Sequence, residues 1–304
     1  MSEIVALTGA TGFIGRALLD HFRENTIPVR ALCRRPQTNS DSVNWIEGDL
    51  SNKTALNTLL DGASVLIHCA GVVRGKSLED FTEVNTLGTR NLLDTVRQQS
   101  GHPRILFISS LAARQPELSW YAQSKHQAES LFHTSQDINW SIFRPTAVYG
   151  PGDTEIQPLM RLLRRGLLPA PATGSNFTLL HVHDLVSAVA LWLNNSSVNG
   201  NTYELDDGSP SGYNWDILTK LANEIWGRSV LRVSVPLPVL GAVSKINLTA
   251  ARLLNYAPML TPAKIREITH PDWSCDTSGI CRDLGWEAEI KLVDAMQELS
   301  LLGI

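Results

Sequence analysis

The sequence predicts an α/β protein, in which a doubly wound parallel sheet is followed by a smaller and irregular C-terminal lobe. Short apolar runs alternate with amphipathic helical stretches up to about residue 145, which is typical of parallel strands joined by crossover helices. The first strand leads directly into a glycine-rich turn, residues 8–15, and then into a helix. After about Pro151 the alternation stops and Pro and Gly become frequent, which indicates a change of architecture.

The turn after the first strand has glycines at positions that suit a dinucleotide-binding loop. Gly9 allows a tight turn, Gly12 leaves room for a pyrophosphate, and Gly15 lets the helix pack close to the sheet. The N–H groups at the start of that helix, around Phe13 and Ile14, then face the phosphates. Because the spacing is G-x-x-G-x-x-G rather than G-x-G-x-x-G, an ordinary glycine-bearing turn is the alternative. The flanking strand and helix favour a cofactor site.

The other elements follow from their periodicity and their turn residues. In the first half we expect strands at 4–7, 28–33, 43–47, 63–71, 104–108 and 140–143, and helices at 16–22, 55–60, 78–98 and 120–133, with Ser51 and Ser77 as N-caps of the second and third helices. In the second half we expect helices at 185–193, 213–225 and 262–269, a strand at 202–205, and a proline-bracketed apolar segment at 233–254. Residues 1–150 then form a cofactor domain, to which residues 178–206 return, and residues 151–304 form mainly a substrate-binding lobe.

Composition narrows the possible functions of the chain. The 304 residues carry a net charge of −4 and no basic cluster with interleaved aromatic residues, which disfavours nucleic-acid binding. The four cysteines form no C-x-x-C pair, so free thiols in a reducing compartment are expected. The longest uncharged apolar run near the C-terminus, 233–244, is too short to span a bilayer and carries two prolines. We therefore expect a cytoplasmic protein without a leader sequence or a transmembrane segment.

A tyrosine and a lysine four residues apart carry the clearest chemical signal. On the predicted helix 120–133, Tyr121 and Lys125 share one face. A neighbouring Lys⁺ and an oxidised nicotinamide both favour the phenolate, which moves the pKa of such a tyrosine from about 10 toward working pH. Ser110, at the tip of the fifth strand, can donate a hydrogen bond to a substrate oxygen. The alternative is a solvated helix face, but the glycine turn and Ser110 together favour catalysis.

A second pair of residues raises the question of a metal site. His181 and His183 alternate on a predicted strand, so both imidazoles can face one ion. No third or fourth ligand can be assigned from the sequence. We therefore predict no metal.

Motifs spread over residues 1–190 match one known family. They are Thr8–Gly15, Gly48–Leu50, His68–Gly71, Val84–Thr89, Ile108–Ser110, Tyr121 with Lys125, Arg144–Gly152 and His181–Asp184. With these motifs the chain resembles the extended branch of the short-chain dehydrogenase/reductase superfamily, also described as the NAD-dependent epimerase/dehydratase family. The resemblance implies a Rossmann fold for the cofactor domain. Beyond about residue 205 it is weak, apart from Leu284-Gly285-Trp286.

The resemblance also implies roles for individual residues. It implies Ser110, Tyr121 and Lys125 as the catalytic set, with Ser110 preferred to Ser109 because it aligns with the family's strand-end serine. Asn85 either braces this site or ties down a neighbouring backbone segment. By analogy with family dimers, helices 78–98 and 120–133 are the expected face of a homodimer. For the cofactor, the resemblance implies Asp49 and Leu50 at the adenine, Ala70 and Gly71 at the ribose, Tyr121 and Lys125 at the nicotinamide ribose, and Pro145 to Val148 beside the nicotinamide.

The end of the second strand bears on the choice of cofactor. An NAD-preferring site carries an Asp or Glu there to bind the ribose 2′-hydroxyl, whereas this chain has Cys33 followed by Arg34 and Arg35. Two guanidiniums suit a 2′-phosphate. A solvated basic loop is the alternative, and we predict NADP(H) in preference to NAD(H).

Two departures from the sugar epimerases of the family bear on the substrate. The segment between Ser110 and Tyr121 is short, whereas sugar epimerases and dehydratases carry a longer insertion there. The 233–259 stretch is apolar, with Lys245 and Arg252 as its charged residues, which favours an apolar alcohol or ketone over a nucleotide diphosphate. These residues can equally form the core of the lobe or a dimer face. We predict an NADP(H)-dependent reductase or dehydrogenase of a small apolar molecule. The alternatives are a nucleotide-sugar epimerase/dehydratase and a non-catalytic NADP-binding sensor or assembly factor.

Overall fold

A computed structural model describes residues 4–301 of the chain. Its strands are β1 Val5–Thr8, β2 Val29–Cys33, β3 Val43–Glu47, β4 Val65–His68, β5 Arg104–Ile108, β6 Trp140–Pro145, β7 Ala147–Tyr149, β8 Leu167–Pro171, β9 Leu179–His181, β10 Asn201–Leu205 and β11 Leu231–Val235. A seven-stranded sheet has the strand order β10-β6-β5-β4-β1-β2-β3, and every pair in it whose register is described is parallel. The strand order reverses between β1 and β4, which creates the crevice where such sheets bind ligands. The predicted fold class is therefore confirmed.

Helices connect the strands and cover the sheet. Strands β1 and β4 are buried along their whole length, because helices cover both faces of a parallel sheet. The α-helices are α1 Phe13–Glu24, α2 Lys53–Leu60, α3 Leu78–Phe81, α4 Gly88–Val96, α5 Trp120–His133, α6 Gln157–Arg164, α7 Val182–Asn194, α8 Trp215–Trp226, α9 Leu237–Leu254, α10 Pro262–Ile268, α11 Ser278–Leu284 and α12 Leu292–Leu301. A π-helix, Thr82–Leu87, lies between α3 and α4, and a 3₁₀ helix, Leu111–Arg114, follows β5.

The chain forms two compact units, each with its own hydrophobic core. The first comprises the described residues up to Arg144 together with Val186–Tyr203, and the second comprises Pro145–Leu185 together with the described residues from Glu204 onward. The core of the first unit includes apolar residues of α2, α4 and α5 packed with those of the sheet. The core of the second unit includes Tyr149, Met160, Leu163, Leu168, Tyr213, Trp215 and Leu218.

The second unit is held together by small sheets and by buried polar contacts. Strand β8 pairs with β11 and β7 pairs with β9, both in parallel. The Asp184 carboxylate accepts hydrogen bonds from the backbone N–H groups of Glu289 and Ile290, at 3.1 and 3.0 Å. Trp286 Nε1 donates to the Asp184 carbonyl at 3.2 Å. These bonds join the segment before α12 to the start of α7.

Two local expectations differ from the structure. The N-cap of α2 is Asn52, whose side chain accepts from Ala55 N at 3.0 Å, rather than Ser51. Ser51 is instead engaged with the Asp49 carboxylate, to which its hydroxyl donates at 2.6 Å. The single helix expected at 78–98 is interrupted by the π-helix, although Ser77 caps α3 as expected. The widened turn brings Asn85 into a buried set of hydrogen bonds, which compensates for the less regular helical geometry.

Candidate active site

The glycine turn packs tightly against the loop that follows β4. Gly9 has φ +73°, which favours glycine, and a Cβ there would lie 2.6 Å from Ala70 N. A Cβ at Gly15 would overlap the Gly9 carbonyl oxygen. The turn is therefore fixed both by its own conformation and by close contact with Ala70.

The start of α1 can accept an anionic ligand. Gly12 is its N-cap, and along this described stretch no side chain caps the helix and no acidic residue lies in its first turn. Thr11 and Gly12 are exposed, while Phe13 and Ile14 are half-buried. Uncapped N–H groups and the positive helix dipole suit a pyrophosphate, so this turn fits a dinucleotide cofactor.

A buried row of hydrogen bonds holds the loop after β4. The Thr8 hydroxyl oxygen lies 2.7 Å from His68 Nδ1 and accepts from Ala70 N at 3.2 Å. His68 Nε2 lies 2.9 Å from the Thr89 hydroxyl, which donates to the Asn85 carbonyl at 2.7 Å. Burial, helped by the charge of Lys125, lowers the pKa of His68 to about 3, so its imidazole is neutral at physiological pH.

Asn85 joins that loop to α5. Its side-chain oxygen accepts from Val72 N at 2.8 Å, and its amide donates to the Val72 carbonyl at 3.1 Å and to Ser124 Oγ at 2.9 Å. A Cβ at Gly71 would lie 3.1 Å from the Asn85 oxygen and 3.9 Å from Lys125 Nζ. The loop residue Gly71 is therefore close to the lysine ammonium. Asn85 holds the two in place, because it is hydrogen-bonded to Val72 beside Gly71 and to Ser124 beside Lys125.

Lys125 is a buried cation at the carboxyl end of β5. Its side chain is on the buried face of α5, the residue is 4% exposed, and Nζ donates to the Ile108 carbonyl at 2.8 Å. Nζ also lies 4.3 Å from the centre of the Phe107 ring, within range of a cation–π interaction. Burial lowers the pKa of Lys125 from 10.5 to about 8, although the nearby Glu129 and Cys69 partly oppose this shift. Lys125 is therefore still mainly charged at neutral pH.

Tyr121 is the second residue of the same helix, one turn before Lys125. Ser119 caps α5 by accepting from Ala122 N at 2.9 Å, which fixes the start of the helix. The Tyr121 side chain is half-buried, and its ring centre lies 6.4 Å from that of Phe81. Its position at i−4 places it on the same helix face as Lys125.

The two serines after β5 have different surroundings. Ser109 is buried and donates to the Glu129 carboxylate at 2.5 Å. Ser110 is half-buried, and its hydroxyl oxygen accepts from Ala112 N at 3.2 Å at the start of the 3₁₀ helix. That short helix packs on α5, where His126 Nδ1 lies 3.0 Å from the Ala113 carbonyl. In this bond the Ser110 oxygen is the acceptor, which leaves its O–H group able to donate to another atom.

Glu129 and Arg144 lie beside the candidate site, and the sequence analysis assigned neither of them a role there. Their ion pair, with Arg144 Nη2 2.5 Å from Glu129 Oε2, lies directly behind Ser109. Glu129 also raises the pKa of Lys125, against the larger effect of burial. A signal existed in the sequence, because Glu129 is four residues after Lys125 on a helix face that also carries buried alanines.

The predicted adenine end lies where β2 and the segment after β3 meet. Gly48 N donates to the Cys33 carbonyl at 2.9 Å, and both Arg34 and Arg35, directly after β2, are exposed. Hydrogen bonds from Ser51 and, to a smaller extent, the charge of Arg34 lower the pKa of Asp49. The Leu50 side chain is buried in the core and packs close to Gly88 at the start of α4.

The remaining predicted residues belong to the second unit. Pro145 is the last residue of β6 and is buried, and Val148 lies in β7, where it pairs with Leu180 of β9. The ring centres of His181 and His183 are 4.8 Å apart, but His181 Nδ1 accepts from His183 N at 3.3 Å. That nitrogen is therefore used inside the turn rather than facing an ion.

Comparisons with known proteins identify the family of this chain. The model of the NAD dependent epimerase/dehydratase family matches residues 5–205. A ceramide reductase of Caulobacter vibrioides is 33% identical over 276 residues, which cover 89% of this chain and 86% of the relative. A UDP-glucose 4-epimerase of Vibrio cholerae is 29% identical over 238 residues, 68% of this chain and 72% of the relative.

A solved structure extends the likeness over the full fold. MoeE5, in complex with UDP-glucuronic acid and NAD, superposes with a TM-score of 0.76 at 22% identity, over 99% of this chain and 100% of that chain. This likeness concerns the fold, whereas the family match rests on the sequence. The chain belongs to the NAD-dependent epimerase/dehydratase family and is an NAD(P)-dependent oxidoreductase of the extended short-chain dehydrogenase/reductase type.

Proposed function

We propose that this protein is an NADP(H)-dependent reductase or dehydrogenase that interconverts a hydroxyl and a carbonyl on an apolar small molecule. The observation that carries the proposal is the buried Lys125 ammonium, one turn from Tyr121 and close to Gly71. Burying a cation has a cost in desolvation free energy. A positive charge beside Tyr121 favours the phenolate form of the tyrosine, which gives the buried lysine a catalytic use.

In this proposal three side chains act on the carbonyl oxygen. Tyr121 donates its phenolic proton to the oxygen during reduction and takes it back during oxidation. Lys125 stabilises the phenolate that remains, and Ser110 donates a hydrogen bond to the oxygen as negative charge develops. The coenzyme, when bound, supplies or accepts the hydride. The glycine turn 8–15, Asp49 and Ala70 with Gly71 would hold it.

The proposed preference for NADP(H) rests on Arg34 and Arg35. Both side chains are exposed directly after β2, where an acidic residue would otherwise bind a ribose 2′-hydroxyl. Changing both to Ser should weaken NADPH binding by about tenfold or more while leaving NADH binding nearly unchanged, since charge-assisted hydrogen bonds are worth about 1.5–3 kcal/mol. Fluorescence titration of the two coenzymes measures this effect. Equal affinity of the unmodified protein for NADH and NADPH would contradict the assignment.

Two observations support an apolar substrate. The relative with 33% identity is a ceramide reductase, and ceramide is a lipid. The segment between Ser110 and Tyr121 is short, which leaves less protein to enclose a nucleotide sugar. The test is a set of carbonyl compounds, from short ketones to ceramide-like ketones, with NADPH absorbance as the readout. Tyr121→Phe serves as the control for background oxidation.

A nucleotide-sugar epimerase is the second candidate, because the UDP-glucose 4-epimerase relative is 29% identical. Such an enzyme oxidises and re-reduces its substrate within one turnover, so the coenzyme shows no net change. Conversion of UDP-glucose without net NADPH consumption would favour this function over the proposed reductase. A non-catalytic NADP-binding sensor is the remaining alternative. Such a protein would keep its biological activity in the Tyr121→Phe variant and would lose it when the coenzyme site is blocked. A cytoplasmic location and a homodimer remain part of the proposal.

A further inference from the structure

The helix α9 presents an apolar stripe to solvent. Its large aliphatic side chains are among the most exposed in the described chain, with Ile246 at 69%, Leu253 at 80% and Leu254 at 74%. Along its full described length, only Ser244 and Ala251 are buried. The segment meets the length and composition of a membrane-crossing helix. An exposed apolar surface of this kind marks an interaction site.

The exposed residues are arranged as one face rather than scattered. Spacings of four, three and seven residues align the exposed Val239, Val243, Ile246 and Leu253 along the outward side. The buried residues Ser244 and Ala251 are seven positions apart and lie along the inward side. Exposed apolar side chains continue before and after the helix, at Leu231, Val233, Tyr256 and Met259. The surface is therefore broader than a single helical seam.

The charges on α9 itself have one sign. Within α9 the charged residues are Lys245 and Arg252, seven residues apart on one flank of the stripe, and both are exposed. Over residues 228–268 the basic residues are Arg228, Arg232, Lys245, Arg252, Lys264 and Arg266, against the single acidic residue Glu267. Two of these cations are ion-paired, Arg232 with Asp216 and Lys264 with Glu267. The whole chain, in contrast, has a net charge of −4. This local excess of positive charge complements an anionic surface.

We propose that α9 binds in the plane of an anionic lipid surface, with its apolar stripe in the acyl boundary and its basic flank at the headgroups. An in-plane position fits better than a spanning one. The helix, 18 residues long, is about 27 Å in length, and spanning would bury Lys245 and Arg252 in hydrocarbon. Its inward side is also attached to the protein, because Asn247 Nδ2 donates to the Leu260 carbonyl at 2.8 Å.

The partner could otherwise be a second copy of this chain. A dimer seam places apolar residues at the centre and pairs opposite charges at the edges. The flank of α9 offers only basic residues, so two copies meeting there would bring like charges together. The charge pattern therefore favours lipid over a second copy.

The test is flotation of the full-length protein with vesicles, and it requires neither substrate nor coenzyme. The probes are phosphatidylcholine vesicles with and without phosphatidylglycerol. We expect binding at least about tenfold tighter with the anionic lipid, weakened by salt. The double variant Ile246→Asn/Leu253→Asn should lose at least about tenfold in binding. Leu191→Asn, which changes an exposed leucine of α7, is the matched control and should bind like the unmodified protein.

Each other outcome has a defined meaning. If no vesicle is bound, or if the double variant binds as well as the unmodified protein, the proposal is overturned. If the unmodified protein is a dimer that the double variant splits, and neither binds vesicles, α9 is instead an interface between copies. If the double variant fails to fold, Lys245→Glu replaces it. That variant should retain its melting temperature and lose the preference for anionic vesicles, and an unchanged preference would overturn the proposal.

Discussion

Helices α5 and α9 distribute their polar and apolar residues in opposite ways. The first buries Ser124, Lys125 and Glu129 beside its apolar side chains, whereas the second buries Ser244 and Ala251 and exposes most of its large aliphatic residues. Buried charges and exposed aliphatic side chains each carry a free-energy cost unless a partner compensates for it. The contrast indicates that neither helix is arranged for stability alone. In α5 the partners are inside the chain, and in α9 we propose that they are outside it.

The largest expected effect concerns the chemistry assigned to α5. Tyr121→Phe removes the proposed proton donor and keeps the ring, so we expect turnover to fall by about 10²–10⁴-fold. Coenzyme binding should remain nearly unchanged. Steady-state kinetics with the best carbonyl substrate, alongside an NADPH titration, measure both quantities. Full activity of this variant would contradict the catalytic role proposed for α5, and the comparison with α9 would then lose its explanation for the buried Lys125.

Truncation of one apolar residue in each helix compares how much a buried and an exposed side chain contribute to the free energy of unfolding. Phe132 of α5 is fully buried, so Phe132→Ala should lower the free energy of unfolding by about 3–5 kcal/mol. Leu253 of α9 is 80% exposed, so Leu253→Ala should change it by less than about 0.5 kcal/mol. Denaturant unfolding gives both values. A large loss for Leu253→Ala would mean that α9 packs against the protein more than its exposure indicates.

The buried ion pair behind Ser109 gives the next effect. Glu129→Gln removes the negative charge that faces Arg144, and breaking a buried ion pair costs about 3 kcal/mol. The matched control is Glu224→Gln, because Glu224 forms an exposed ion pair with Lys220 that contributes about 0.5 kcal/mol or less. Unfolding measured at neutral pH compares the two variants. Equal losses would show that burial does not strengthen the Glu129–Arg144 interaction.

The last effect is a dependence of stability on pH that originates at Lys125. Burial holds the pKa of this lysine near 8 in the folded chain, against 10.5 ordinarily. Between these values the unfolded chain binds more protons, so the contribution of Lys125 to stability rises with pH. Relative to the unmodified protein, the Lys125→Met variant should therefore gain the most stability below pH 8. This gain should decrease as the pH rises toward 10. Lys220→Met, at an exposed site, should show no such trend.

Much of the first unit could be predicted from the sequence, because periodicity and caps act locally. Helix α5 begins at Trp120 and ends at His133, as expected, since Ser119 provides an N-cap and the apolar positions recur at helical spacing. The choice between Ser51 and Asn52 as the cap of α2 could not be predicted, because it depends on Asp49 engaging Ser51. The catalytic and cofactor roles of the site residues remain predictions.

The second unit shows the limit of the same reasoning. The sequence indicated an apolar segment at 233–254, but periodicity tells only which residues share a face, and not whether anything covers that face. The structure divides the segment into β11 and α9, with α9 continuing past Lys245 to Leu254. The core, dimer and substrate interpretations of these residues were equally compatible with the sequence. Exposure at Ile246 separates a core role from the others.

The π-helix Thr82–Leu87 has a consequence for how this chain tolerates insertions and deletions. Its wider turn contains one residue more than an α-helical turn would need. The extra residue sets the direction of the Asn85 side chain around the helix axis, from which it reaches Val72 and Ser124. Removal of a single residue there would give a more regular helix and turn the following side chains by about 100°. A deletion that makes this helix more regular would therefore break the hydrogen bonds by which Asn85 joins the loop after β4 to α5.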